Sequence, residues 1–127
     1  MGRFTDIQND VIKRYRVNLD PFSKCWGRTH AHIKGRRVCK WHPKNSVEST
    51  FTLLHEVGHI ETNHSGMRRA EEEFAATVWA VERAEEYGLT IPDRIIDEYQ
   101  EYIDRERDRG IRRGGAGYGQ MKLRRQA

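Results

Sequence analysis

Thr50-Phe51-Thr52-Leu53-Leu54-His55-Glu56-Val57-Gly58-His59-Ile60 is the stretch on which the rest of the chain is organised. Phe51, Leu54, Val57 and Gly58, with Leu53 and Ile60 beside them, recur at helical spacing, so the segment reads as a buried helix. Within it, His55 and His59 stand four residues apart and share one helical face, one turn apart along the axis. Two imidazoles so placed can hold one divalent cation, and Glu56 can reach a water bound there. Two neutral nitrogen ligands, a carboxylate base and an open coordination position are what a zinc hydrolase needs. The bland alternative is an amphipathic helix with two incidental histidines. The glutamate, the spacing and the buried context together favour the metal. Gly58 costs a helix about 1 kcal/mol relative to alanine, and it lets another element approach the metal face.

Working outward, the spacing predicts this helix over residues 46–63, with Asn45 and Glu48 forming a capping start. Upstream, Phe4, Ile7, Val11, Ile12 and Tyr15 predict a helix over 4–16. Residues 28–42 alternate apolar and polar positions around Lys34-Gly35, which predicts two or three short strands with a hairpin turn, closed by Pro43. Downstream, Met67, Ala70, Phe74, Val78, Trp79 and Val81 predict a helix over 67–87, stopped at Gly88. Pro92-Asp93 opens a last one, running to about 108, with Ile95, Ile96, Tyr99, Tyr102 and Ile103 on one side.

A catalytic zinc takes three protein ligands and leaves a fourth position for water. The downstream candidates are Glu61, His64, Glu71, Glu72 and Glu73. On a continuing helix Glu61 would point roughly 200° from His59, and His64 roughly 140° from it. Asn63 and Gly66 suggest a helix end, after which the next helix would run back and present an acidic residue. Spacing alone does not choose within Glu71-Glu72-Glu73, and at least one of the three belongs to a solvated face.

The stretch from Phe51 to Ile60 resembles the active-site helix of the ImmA/IrrE family of metallopeptidases, common in phages and mobile elements. That family carries a second motif: a glutamate, an alanine three residues on, an aromatic three further, then another alanine. Glu73, Ala76, Trp79 and Ala80 fit that spacing. The resemblance covers roughly residues 28–82. It implies a small zincin-like α+β domain in which the metal-binding helix packs on a short antiparallel sheet with further helices. It also implies Glu73 as the third zinc ligand, with Ala76 permitting close helix packing and Trp79 filling the core beneath the site. The implied activity is zinc-dependent endopeptidase cleavage of regulatory proteins, often DNA-binding repressors. Two departures stand out: Thr77 occupies a position that is often Asn or Asp in the family, and thirteen residues separate His59 from Glu73.

In the implied mechanism Glu56 is the general base, and a further donor serves the oxyanion. His64, as that donor or as an alternative ligand, His42, Tyr87 and a strand histidine are the candidates, and the sequence does not choose among them. Cys25 and Cys39 with His30, His32 and His42 fit no common structural-zinc spacing. The cysteines read as small core residues, reduced in cytosol, and His30 and His32 as sharing one strand face.

The 127 residues suit one domain with a modest core, since 33% are charged. Neither a membrane-length apolar run nor an apolar leader is present, so the sequence reads as soluble and cytoplasmic, in a bacterial cell or phage-infected host. The net charge of +4 is uneven. Residues 110–127 hold five basic residues, no acidic ones and five glycines, leaving 18 Lys+Arg against 19 Asp+Glu on residues 1–109. This divides the chain into a metallopeptidase domain at 1–109 and a basic, glycine-rich flexible tail at 110–127. The tail reads first as a solubilising extension and second as an electrostatic tether to nucleic acid or an acidic partner. The leading expectation is thus a Zn2+ endopeptidase acting on a protein or peptide. The alternatives are a non-enzymatic metal-binding interaction module and a nucleic-acid-associated protein using its tail.

Overall fold

The structure is a computed structural model that describes residues 2–20, 30–33, 36–38, 41, 43–62 and 66–126, with the backbone alone for 18–20, 30–33 and 36–38. Its elements are α1 (Arg3–Arg14), β1 (Val17–Asp20), β2 (His30–Ile33), β3 (Arg36–Val38), α2 (Val47–Glu61), α3 (Arg69–Glu86) and α4 (Asp93–Arg112). The Lys34-Gly35 turn lies outside the described residues.

The expected α+β architecture, with the metal-binding helix packed on an antiparallel sheet, is overturned. The body around α2 is helical: α2 packs first on α3, then on α1, and β3 touches it marginally. The short strands pair antiparallel in the order β1-β2-β3, but their place is beside α1 rather than under α2. The physical reason lies in the faces of α2. Phe51, Leu53, Leu54 and Val57 are all 0% exposed, and Ser49, Thr50, His55 and Gly58 are buried beside them, so the helix has a broad buried face that needs cover on more than one side. Ala80, Val81 and Ala84 of α3, Ile95 and Ile96 of α4, and Val11 of α1 join these residues in one core. The small alanines bring α3 close and leave no room for a sheet.

One contact fixes how close. A Cβ placed on Gly58 would stand 2.6 Å from the Ala76 carbonyl oxygen and 3.2 Å from its Cα. Glycine at 58 and alanine at 76 therefore let the two backbones meet.

Two buried polar groups tie the start of α2 to its surroundings. The Trp41 indole N–H donates to the Ser49 carbonyl at 2.9 Å. The Gln8 amide donates to the Lys44 carbonyl at 2.7 Å and to Thr50 Oγ1 at 2.9 Å. The cap of α2 also differs from expectation. Ser46 accepts from the Ser49 N–H at 3.1 Å, while Glu48 pairs with Arg94. Asn45 caps a different helix: its Oδ1 accepts from the N–H groups of Phe4 and Thr5 in α1 at 3.1 and 3.3 Å. Since α1 has no side-chain cap of its own, a residue distant in sequence satisfies its free N–H groups.

The C-terminal segment does not run out as a flexible tail. α4 continues through Gly110 to Arg112, and residues 113–126 fold back over α3 and α4. Met121 is buried with Ala70 and Ile103. The Leu123 N–H donates to Gln100 Oε1 at 2.7 Å, and the Gln100 amide donates to the Met121 carbonyl at 2.9 Å. Arg124 pairs with Glu85, and Arg125 with Asp97. No described helix is long and apolar enough to cross a membrane.

Replacing Gly58 by alanine tests the close approach. Overpacking costs about 1–3 kcal/mol, against a helix-propensity gain of about 1 kcal/mol, so Gly58→Ala lowers stability. Urea denaturation in EDTA measures it; a midpoint equal to or above that of the parent would show that α2 and α3 have slack at this contact.

Candidate metal centre

The meeting of α2 and α3 at Gly58 and Ala76 decides what lies one turn away. Glu73 precedes Ala76 by three residues, so its side chain projects from the same face of α3 toward α2. It arrives between the two histidines. Glu73 Oε2 lies 3.1 Å from His55 Nε2 and 3.2 Å from His59 Nε2. The three ligand atoms all lie within 4.8 Å of one another, the one such metal-competent group among the described residues. The imidazole rings stand nearly perpendicular, with centroids 4.7 Å apart.

The residues fit a divalent cation on three counts. His55 Nε2 is buried and makes no hydrogen bond, although Glu73 Oε2 is close, so this nitrogen is available to a cation. The separations of 3.1 and 3.2 Å match the edge of a tetrahedron of Zn–N and Zn–O bonds, about 3.3 Å. Two imidazoles and one carboxylate are also a donor set that zinc accepts.

Neighbouring groups hold these ligands in place. Glu56 Oε1 stands 3.7 Å from His55 Nδ1, which favours the proton on Nδ1 and leaves Nε2 as the lone-pair nitrogen. The second oxygen of Glu73 faces Arg69, whose Nε is 3.5 Å away. Arg69 is itself held by a hydrogen bond to the Tyr102 hydroxyl at 3.0 Å. The Thr77 hydroxyl, fully buried, donates to the Glu73 carbonyl at 2.7 Å. Tyr99 of α4 lays its ring 4.8 Å from that of His55 and 5.2 Å from that of Phe51; burial pushes its hydroxyl up to about 12.

Electrostatics agree with the geometry. Burial opposes protonation of His55, but the carboxylates of Glu56 and Glu73 outweigh it and raise its pKa. Burial likewise opposes ionisation of Glu73, yet the two imidazoles hold its carboxyl well below the usual carboxylate range. Without a cation, the cluster keeps its carboxylate charged and draws a proton onto the imidazole.

Of the other candidate ligands, Glu71 pairs with Arg68 at 2.8 Å, and Glu61 and Glu72 do not belong to the cluster. Tyr87 is no oxyanion donor: its hydroxyl donates to Asp10 of α1, fourteen residues and about 21 Å along α3 from Glu73. Trp79 does not lie beneath the site; it is half-buried and meets Tyr15 edge-on at 5.2 Å. Cys25, Cys39, His42 and His64 fall outside the described residues, and of His30 and His32 only the backbone in β2 is described. The sequence reading missed Arg69 and Tyr99. Arg69 had a signal, its i,i+4 spacing to Glu73; Tyr99 had none beyond its place on the apolar side of α4.

Comparison of the chain with protein-family models, curated proteins and solved structures finds no match.

Zinc takes a neutral imidazole, whereas His55 retains its proton up to its raised pKa. Zinc affinity therefore falls, and proton release per zinc rises, as pH drops from 8 to 6. Calorimetry in buffers of different ionisation enthalpy reads both; pH-independent affinity with no proton release at pH 6 would remove His55 from the ligand set.

Proposed function

We propose that the protein is a zinc-dependent endopeptidase that hydrolyses a peptide bond in a protein substrate. One observation carries this reading: two nitrogens from one turn of α2 and a carboxylate oxygen from α3 converge at ligand spacing, with Glu56 adjoining them. The resemblance to the ImmA/IrrE family supports it and points to a regulatory, DNA-binding protein as the substrate and to the cytoplasm as the place of action.

His55, His59 and Glu73 would hold the cation. When bound, zinc supplies Lewis-acid chemistry, acidifying water and polarising the scissile carbonyl. The protein supplies the proton traffic. Glu56, whose side chain is 26% exposed, would leave His55 Nδ1 to accept the proton of the attacking water and pass it to the departing amine. Arg69, 3.5 Å from one oxygen of Glu73, keeps the other directed at the histidines. Tyr99, packed against His55, restricts the ring to one plane.

The position of Glu56 beside Nδ1 also favours a second reading, in which it orients His55 and moves no proton. Glu56→Gln separates the two. A base makes the variant keep zinc stoichiometrically while turnover falls about 10²- to 10⁴-fold. An orienting group makes it lose zinc affinity by about 10- to 100-fold. Zinc content by atomic absorption, together with cleavage of candidate repressors, decides; full turnover with full zinc would end both roles. Glu73→Ala is the companion variant and should lose zinc altogether.

A further inference from the structure

The described surface holds a concave feature that includes none of the metal ligands. A cavity of about 330 Å³ opens between the start of α3, the end of α4 and the returning segment at 113–118. Four arginines line it, Arg68, Arg69, Arg109 and Arg113, against one carboxylate, Glu106.

Its walls are built rather than incidental. Tyr118 closes one side, with the Arg68 guanidinium 3.5 Å from its ring centroid. Arg68 also donates to the Ala116 carbonyl at 2.7 Å, which ties α3 to the segment. A Cβ on Gly110 would fall on the Tyr118 hydroxyl at 1.9 Å, so glycine there is what lets the tyrosine lie against α4. The glycine-rich composition that reads as a mobile tail instead shapes a pocket wall.

We propose that this cavity binds a compact polyanion bearing phosphate or carboxylate groups. The guanidiniums are partly engaged already: Arg68 with Glu71 and the Ala116 and Gly117 carbonyls, Arg109 with Glu106, and Arg69 with Tyr102 and Glu73. Each bond uses a fraction of a guanidinium's N–H donors, and the planar fork keeps others for a bidentate oxyanion. Arg113 has no ion-pair partner among the described residues. The excess of positive charge inside a concavity focuses the field more than the same charge spread over a surface. The size is at the low end of small-molecule pockets. A recess of this kind suits a ligand of a few anionic groups better than the extended phosphate run of a duplex. The proposal shares Arg69 with the metal centre, where it faces Glu73, but uses none of the metal ligands and is tested at Arg109 and Arg113 instead.

Isothermal titration of the full chain, dialysed free of metal, at about 0.15 M ionic strength tests it. Pyrophosphate represents the phosphate source and citrate the carboxylate source; a 20-base-pair duplex is the competitor. Saturable binding of pyrophosphate or citrate supports the site when Arg109→Gln and Arg113→Gln each weaken it roughly tenfold or more while Arg112→Gln, exposed and outside the cavity, does not. Circular dichroism of all three variants excludes unfolding as the cause. Whichever probe binds names the ligand class. No saturable binding of either, equal weakening by Arg112→Gln, or tighter binding of the duplex through the same arginines overturns the proposal.

Discussion

Everything in this molecule hangs on how near α3 comes to α2. With glycine at 58 and alanine at 76, backbone meets backbone, and Glu73, one turn earlier on α3, falls within 3.1 and 3.2 Å of the two imidazoles. A larger residue at either position would push the helices apart. The carboxylate would then lose both nitrogens, since an ångström of retreat exceeds the tolerance of a metal-ligand bond. Packing and chemistry are thus one constraint.

That constraint explains an otherwise expensive arrangement. Glu73 is 6% exposed, as is His55. A charge carried so far from water is costly unless neighbours replace its hydration. Here the imidazoles do so on one oxygen and Arg69 on the other. Three groups converge on one point, and His55 Nε2 makes no hydrogen bond there. A cation at that point would satisfy all of these groups at once, and its binding energy would add to the stability of a chain with a modest core. The unpartnered nitrogen and the aptness of the cluster for a cation are two views of the same geometry.

The helices were legible in the sequence because each carries a long apolar repeat with a stop signal: Gly88 after α3, Pro92 before α4. The pair His55 and His59 was legible because the helix alone fixes their relation. Glu73 was not, since its selection over Glu71 and Glu72 depends on the rotation of α3 against α2, a tertiary quantity; the family resemblance, not the spacing, singled it out. The sheet expectation failed for a related reason. Alternation in residues 28–42 speaks for extended chain but says nothing about which face of α2 that chain would cover, and the alanines of α3 took the place. Asn45 shows the same limit at small scale. A residue that looks like the cap of its own helix caps α1 instead, because Gly2 leaves space for its amide.

The C-terminal segment carries this reasoning furthest. Five glycines and five basic residues without an acid describe, by composition, a chain that cannot fold by itself, and that inference is sound for the segment in isolation. It fails in context because the segment need not supply its own core. Met121 and Leu123 enter apolar surface that α3 and α4 already present, and the Gln100 and Gln126 amides satisfy backbone groups along the way. Arg124 and Arg125 then meet acidic residues of α3 and α4, so part of the excess charge is answered within the molecule. What stays unanswered gathers at Arg113 and its neighbours, where the glycines have made a hollow. A composition that reads as disorder along the sequence thus becomes, against two preformed helices, the means of building a charged recess.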